Sequence, residues 1–380
     1  MEEWKIYKLG DLLQVKYGRD HKSLSDGPIP AFGSGGLMRM VEKSIYDKPS
    51  ILIPRKGSLN NILFVDRPFW TVDTMFWTII NTDIVIPHYL HYAIKDIDFA
   101  SLNVGSAVPS LTVPIIEAIE VSIPDIYTQR RILDCLEPID NKIALNTRIN
   151  HNLEEQAQSL YKSWFIDFEP FKDGKFVESE LGMIPEGWFV KKAEEFCEIN
   201  IGKTPPRKEH QWFSNDSSDI TWISISDMGP SGVYISKSSE MLTKEACRKF
   251  NVIVVPEGTV LLSFKLTIGR VSIAAKELTT NEAIARFLAP TDAISSYLYL
   301  ALKSYDYGKL GSTSSIATAV NSKIIKGMPL LCPPEYVIEK FGAQVKGMFN
   351  LIRTLQNETM SLNEQRDSLL PRLMSGKISC

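Results

Sequence analysis

The sequence predicts an α+β fold: two similar α+β domains separated by two long, antiparallel coiled-coil helices with pseudo-two-fold symmetry. Three observations predict it: a tandem repeat, short β-branched runs in each copy, and a long apolar stripe closing each copy. Trp4 and Trp188, Lys8 and Lys192, and Gly18 and Gly202 all lie 184 residues apart. From Ser50 onward the spacing becomes 209, so that SILIPRKGSL aligns with TVLLSFKLTI and LEEQAQSL (from Leu153) with LNEQRDSL (from Leu362). A register held over a hundred residues marks a duplication, with about 25 residues inserted before Thr259 in the second copy.

The elements follow in chain order. PSILIPR, NILFV, TMFWTII and AIEVSIP in the first copy read as strands, as do VIVVP, TVLLSF and RVSIAA in the second. All are β-branched runs bounded by Gly, Pro or Asn. HYLHYAIK and SYLYLALKS read as short helices. After Pro124, apolar residues fall at Ile132, Leu136, Ile139, Ile143, Leu153, Ala157 and Leu160, with Asn146 and Asn150 at seam positions. The second stripe is Phe341, Val345, Met348, Ile352, Leu355, Leu362 and Leu369. This four-three spacing predicts helices over about 129–166 and 337–370, paired along a coiled-coil seam where a buried Asn would fix register. Pro170 and Pro371 are the expected stops. The helices should run antiparallel, because each leaves one body and must end near the other. The charged, Gly/Pro-punctuated stretch from Phe168 to Trp188 reads as a linker. The expected organisation is therefore 1–125 first domain, 126–168 central helix, 169–187 linker, 188–334 second domain and 335–380 terminal helix.

Composition bounds the function. With 44% hydrophobic and 23% charged residues, the chain is not expected to be disordered. No apolar run approaches the roughly 20 residues of a membrane helix, and MEEWKIYKLGD carries no signal-peptide core. Five scattered cysteines without a CxxC pair argue against a disulfide framework and fit a reducing cytoplasm. HExxH, GxSxG, a Walker loop, GxGxxG and a nuclease carboxylate set are all missing from the sequence. FGSGG at Phe32 reads as a tight turn, CPPEY at Cys332 as strand termination, and His88 with His91 as a helix pair rather than a metal site.

The net charge of -3 hides an uneven distribution. Residues 1–125 hold 12 basic and 15 acidic side chains, 188–334 hold 17 and 14, and 169–187 hold 2 and 5. Basic residues gather in polar loops at matching places in both copies. In the first copy these give Lys16, Arg19, Lys22, Arg39, Arg55, Lys56, Asn60 and Asn61 as candidate DNA contacts. In the second they give Lys203, Arg207, Lys208, Lys265 and Arg270. Lys and Arg neutralise phosphates, whereas Arg and Asn can also read base edges. SLNVGSAVPS and GSTSSIATAVNS add small polar strings suited to close approach or to a surface loop.

Along essentially its full length the chain resembles the specificity subunits of type I restriction-modification systems. The resemblance rests on the Trp-led starts EEWKIYKLGDLL and IPEGWFVKKAEEF, the helix ending QAQSLYKSWFIDFEPF, and the terminal LNEQRDSLLPRLMSGKI. It implies a non-catalytic subunit whose domains each recognise one half of a split double-stranded DNA sequence. The helices would space them and dock two modification subunits. Two restriction subunits could complete the assembly. No cofactor is expected on this chain; S-adenosylmethionine, and ATP with Mg for restriction, would belong to the partners. A stand-alone two-reader DNA-binding or scaffold protein on a coiled-coil stalk is the alternative, and a self-contained methyltransferase is disfavoured by the absent motifs.

Overall fold

The computed structural model describes residues 4–105, 108–310 and 320–378. The first copy runs β1 (Lys5–Lys8), α1 (Leu9–Leu12), β2 (Leu13–Tyr17), β3 (Ile29–Gly33), β4 (Gly36–Val41), β5 (Ser50–Pro54), β6 (Leu63–Val65), β7 (Trp70–Thr71) and β8 (Met75–Ile80). It continues with α2 (Pro87–Ile94), α3 (Val113–Glu117), β9 (Glu120–Ile123) and the 40-residue α4 (Ile126–Phe165). A hairpin of β10 (Phe176–Ser179) and β11 (Gly182–Pro185) follows.

The second copy runs β12 (Phe189–Lys192), α5 (Ala193–Phe196), β13 (Ile199–Ile201), β14 (Phe213–Ser214), β15 (Ile220–Ile223), α6 (Ile225–Met228), β16 (Tyr234–Ile235), β17 (Glu240–Leu242) and α7 (Lys244–Lys249). Then come β18 (Val260–Ser263), β19 (Val271–Ala274), β20 (Thr279–Thr280), β21 (Ile284–Phe287), α8 (Asp292–Lys303), α9 (Ser322–Lys326), β22 (Pro329–Cys332) and α10 (Glu335–Met374). Among the described residues, α4 and α10 have equal length and are offset by 209 at both ends.

The sheets repeat as the sequence does. The first copy has a sheet ordered β2-β8-β5-β6 and a second ordered β4-β3-β7. The second copy has β13-β21-β18-β19-β16 and β14-β17-β15-β20, the same orders with one strand added to each. The parallel pairs Ala31↔Trp70 and Trp222↔Thr279 place β3 and β15 in equivalent positions at an offset of 191. The inserted residues therefore enter in two steps, before β15 and between β15 and β18. They supply β14 and the α6–β16 segment. Gln356 of α10 seats that segment: its side-chain oxygen accepts from Tyr234 N (3.0 Å), and its amide donates to Ser231 O (2.7 Å).

The chain divides into two compact units, 1–143 with 361–380 and 144–360. Both divisions fall inside the long helices, so each unit contains part of α4 and part of α10. In the first unit Ile132, Leu133 and Leu136 join one core with Leu9, Ile51, Phe76, Leu90, Leu370 and Leu373. In the second, Tyr161, Trp164 and Phe165 join Trp188, Tyr297 and Phe341. There α4 and α10 run antiparallel: Tyr161 packs 6.2 Å from Phe341, and Asn146 Nδ2 donates to Glu358 Oε2 at 2.8 Å. In the first unit Arg366 pairs with Asp140 at 2.9 Å.

Of the proposed seam residues, Ile132, Leu136, Asn146, Phe341, Val345, Ile352 and Leu355 are buried. Ile139, Ile143, Leu153, Leu160, Met348, Leu362 and Leu369 are half-buried. The apolar stripe thus serves domain cores toward the helix ends, whereas Asn146 is fully buried with its Oδ1 unpartnered, and Asn150 Oδ1 is likewise unpartnered.

Four local expectations are corrected. Pro371 lies inside α10, where the flanking Leu370 and Leu373 are each 1% exposed; burial of that turn outweighs the hydrogen bond proline deletes. Helix α4 ends before Pro170, at Phe165, and the left-handed Phe168 (φ 54°) follows. VIVVP is not a strand: Val255 makes only an isolated bridge to Leu278. The stretch 169–187, read as aperiodic, forms the β10–β11 hairpin, and its Ile184 enters the second core.

Cys197, Cys247 and Cys332 are free thiols, and burial pushes all three upward in pKa, Cys197 and Cys332 to about 12 and about 11. Cys135 is disulfide-bonded, which cysteine spacing alone does not forecast. Among the described residues no helix is long and apolar enough to cross a membrane.

Candidate nucleic-acid interface

Each domain turns at the same backbone junction. After β2, Gly18 has no room for a side chain: a Cβ would lie 2.0 Å from the Val72 carbonyl oxygen. After β13, a Cβ on Gly202 would lie 1.9 Å from the Asn281 carbonyl oxygen. The next residue is pinned identically, Arg19 N–H donating to Thr71 O and Lys203 N–H to Thr280 O, both at 2.8 Å. An indole then fixes the carbonyl: Trp70 Nε1 donates to Arg19 O (3.0 Å), and Trp222 Nε1 to Lys203 O (3.1 Å). These tryptophans stand on neighbouring parallel strands, β7 in one copy and β15 in the other.

In the first domain the loop after β5 meets this junction. Arg55 N–H donates to Thr74 O at 2.9 Å, and its guanidinium reaches Asp73 O (3.3 Å) and lies 5.3 Å from the Tyr17 ring. Arg19 and Lys56 are exposed beside it. The FGSGG segment is the β3–β4 turn, with Gly36 at φ 107°, and Asn61 Nδ2 holds it by donating to Ser34 O at 2.9 Å. This brings Arg19, Arg55 and Lys56 together around 71–74.

Other first-domain candidates are committed elsewhere. Arg39 binds Asp26 (2.6 Å) and Leu24 O (3.1 Å). Asn60 donates to Asp98 and accepts from Ala100 N, tying down the single turn Phe99–Leu102. Lys16 is half-buried on β2 opposite Trp77, and Lys22 is exposed on the turn after Arg19.

The second domain gathers more. Arg207 pairs with Glu240 at 2.6 Å and lies 4.4 Å and 4.5 Å from the Phe213 and Trp222 rings. Lys203 Nζ donates to Phe250 O at 2.6 Å, and Lys208 and Lys265 are exposed. Glu282, which accepts from the Thr204 hydroxyl, sits among them. Burial opposes its ionisation, but Thr204, its own backbone, Lys265 and Arg207 hold its carboxyl below the usual range. Arg270 is turned inward, donating to Ile225 O at 2.7 Å.

Two further features were not read from the sequence. Arg286 on β21 is 1% exposed and donates to Ile201 O (2.8 Å) and Ile253 O (2.7 Å), and burial lowers its pKa to about 10. Leu266 stands fully exposed in the loop after β18. The repeat carried a signal for the second, since Leu266 aligns with Gly57.

Among the described residues no three His, Cys, Asp or Glu side chains are grouped to hold a metal. His88 stacks on Phe64 (centroids 4.7 Å apart) and contacts Glu137 at 3.0 Å, and His91 is held largely neutral by burial. Cys332 ends β22, as strand termination by Pro333 and Pro334 requires. Of the small polar strings, 106–107 and 311–319 lie outside the described residues.

Two α+β domains with matching Gly-basic junctions are thus on one chain, and comparison with known proteins gives their family. The family model for the type I restriction modification DNA specificity domain matches twice, over residues 1–155 and 185–365. The chain is 27% identical to the type I restriction enzyme HindI specificity subunit of Haemophilus influenzae, over the whole of both chains. It is 26% identical to the MjaIX specificity subunit of Methanocaldococcus jannaschii, covering 99% of this chain and 94% of that one. The S subunit of a type I system from M. genitalium has the same fold (TM-score 0.58, 13% identity, 98% and 96% covered). The chain belongs to the type I restriction-modification specificity family and is a non-catalytic, DNA-specifying subunit.

Proposed function

We propose that each α+β domain reads one half of a bipartite, asymmetric DNA site, with Arg19, Arg55 and Lys56 serving one half and Lys203, Arg207, Lys208 and Lys265 the other. The observation that carries this is the repeated junction: one hydrogen-bond framework presents a Gly-basic loop in both copies, with different side chains on each. Two similar but inequivalent readers on one chain suit an asymmetric target. Helices α4 and α10, each about 60 Å long at 1.5 Å per residue, set the gap between half-sites and dock two modification subunits. Those subunits would carry S-adenosylmethionine and transfer the methyl group. Two restriction subunits, with ATP and Mg, would add cleavage. This chain binds no cofactor of its own and works in the cytoplasm.

Sequencing methylated DNA from cells carrying this chain with its modification subunits should yield one two-part motif with a fixed gap. Alanine at Lys203, Arg207 and Lys208 should weaken DNA binding by the complex. It should also flatten the salt dependence, by about one unit of slope for each phosphate no longer neutralised. Unchanged affinity and slope would remove that loop from the interface.

A further inference from the structure

The loop joining β18 to β19 holds a side chain that the protein's own packing does not explain. Leu266 is 103% exposed and has φ 60°, a left-handed conformation that L side chains other than Asn and Asp seldom adopt. Thr267 N–H donates to Lys265 O at 2.6 Å across it, a three-residue turn of the rare positive-φ kind. The loop is nevertheless tightly fixed. The buried Ser263 hydroxyl donates to Thr267 O (2.7 Å) and accepts from Arg270 N (3.0 Å), while Gly269 N–H donates to Ser263 O (3.0 Å). Leu266 is therefore held out on a rigid tip.

The first domain carries a different residue at this position. Its equivalent is Gly57, also left-handed at φ 90°, where glycine adopts the conformation without strain. The second copy keeps the backbone bend and puts a leucine on it, giving up conformational ease and exposing an apolar side chain to water. Strained residues persist where the surrounding structure over-determines them, and they cluster at functional sites. The surroundings indicate what covers this one: Lys265 is its neighbour in sequence, and Glu282, which lies in the field of Lys265 and Arg207, anchors Thr204 of the Gly-basic loop.

We propose that Leu266 is a specificity-determining residue that makes an apolar contact with base edges of the half-site read by the second domain, while the flanking basic residues hold the phosphates. This rests on the reading above that these loops face DNA. Apolar side chains discriminate bases through contacts such as that with the thymine methyl.

The test uses the full chain assembled with its modification subunits, carrying Leu266→Gly, which installs the first copy's residue and relieves the bend, or Leu266→Asn, which suits the bend but is polar. Both variants should retain the wild-type melting temperature or exceed it. Both should lose about tenfold in affinity for the cognate site, with little loss on non-cognate duplex. Methylation mapping should then show relaxed base preference in one half-site and an unchanged other half. Unaltered half-sites, or equal losses on cognate and non-cognate DNA, would overturn the proposal. A wild-type complex that methylates without a two-part motif would instead overturn the two-reader assignment on which it stands.

Discussion

The two domains solve the same backbone problem with different side chains. At the junction after β2 and β13, the glycines, their carbonyl neighbours and the Arg19/Lys203 amide bonds correspond residue for residue. The donors around them differ in strand or in residue type. The indole reaching the Arg19 or Lys203 carbonyl comes from β7 in one domain and from β15 in the other. Tyr17 O accepts from Trp77 Nε1 (3.2 Å), whereas the equivalent Ile201 O accepts from the buried Arg286. Backbone polar groups must be satisfied wherever they are buried, but which side chain satisfies them is free. Duplicated domains can therefore diverge in their exposed loops while retaining one scaffold.

The comparison is broken most severely at the shared glycines. Gly18→Ala and Gly202→Ala should each cost about 4 kcal/mol or more, because the nearest colliding atom at each is a backbone carbonyl oxygen that cannot move aside. Urea unfolding of the full chain would measure this, and a tolerated alanine at either position would show that the junctions are not equivalent.

The next effect separates the domains. Arg286→Ala should cost about 3 kcal/mol, since it strands the Ile201 carbonyl and leaves the Ile253 carbonyl with the Thr279 hydroxyl as its side-chain donor. Trp77→Phe removes one hydrogen bond while keeping most of the ring, at about 1 kcal/mol. Equal losses would mean that the two donors are interchangeable.

A pH-dependent effect is confined to the first domain. Burial first, then His88 and Lys95, lower the His91 pKa to about 4 from 6.5. The folded state thus excludes a proton that the unfolded chain binds between those values. Stability should be full above about pH 6.5 and fall by about 2 kcal/mol on reaching pH 5. In melts between pH 7 and 5, His91→Phe should reduce this slope. An unchanged slope would place its origin elsewhere.

Much of this architecture was legible because repetition and periodicity are one-dimensional. The 209-residue offset foresaw that α4 and α10 would match, and six of the seven apolar runs read as strands are strands, six of the 22 among the described residues. VIVVP failed because β-branched composition cannot say whether a neighbouring strand is present to pair with it. Pro371 failed as a stop because its turn is stabilised by the distant packing partners of Leu370 and Leu373. For the candidate interface, the sequence located the basic loops but could not sort exposed Arg19, Lys56 and Lys208 from Arg39 and Arg270, whose guanidinium groups hold backbone carbonyls. Burial of a charged group depends on partners far along the chain.

By itself, then, the sequence determined the duplication, the two long helices, the missing catalytic groups and the family. Each of these is a pattern of residue types at fixed spacing. The tertiary structure decided which carbonyls Trp70, Trp222 and Arg286 satisfy, that α4 and α10 contribute to domain cores, and that Leu266 stands exposed on a left-handed bend where its counterpart is glycine. Those outcomes depend on which residues are brought together across the fold, and hydrogen bonding, burial and backbone strain take their values only once that proximity exists.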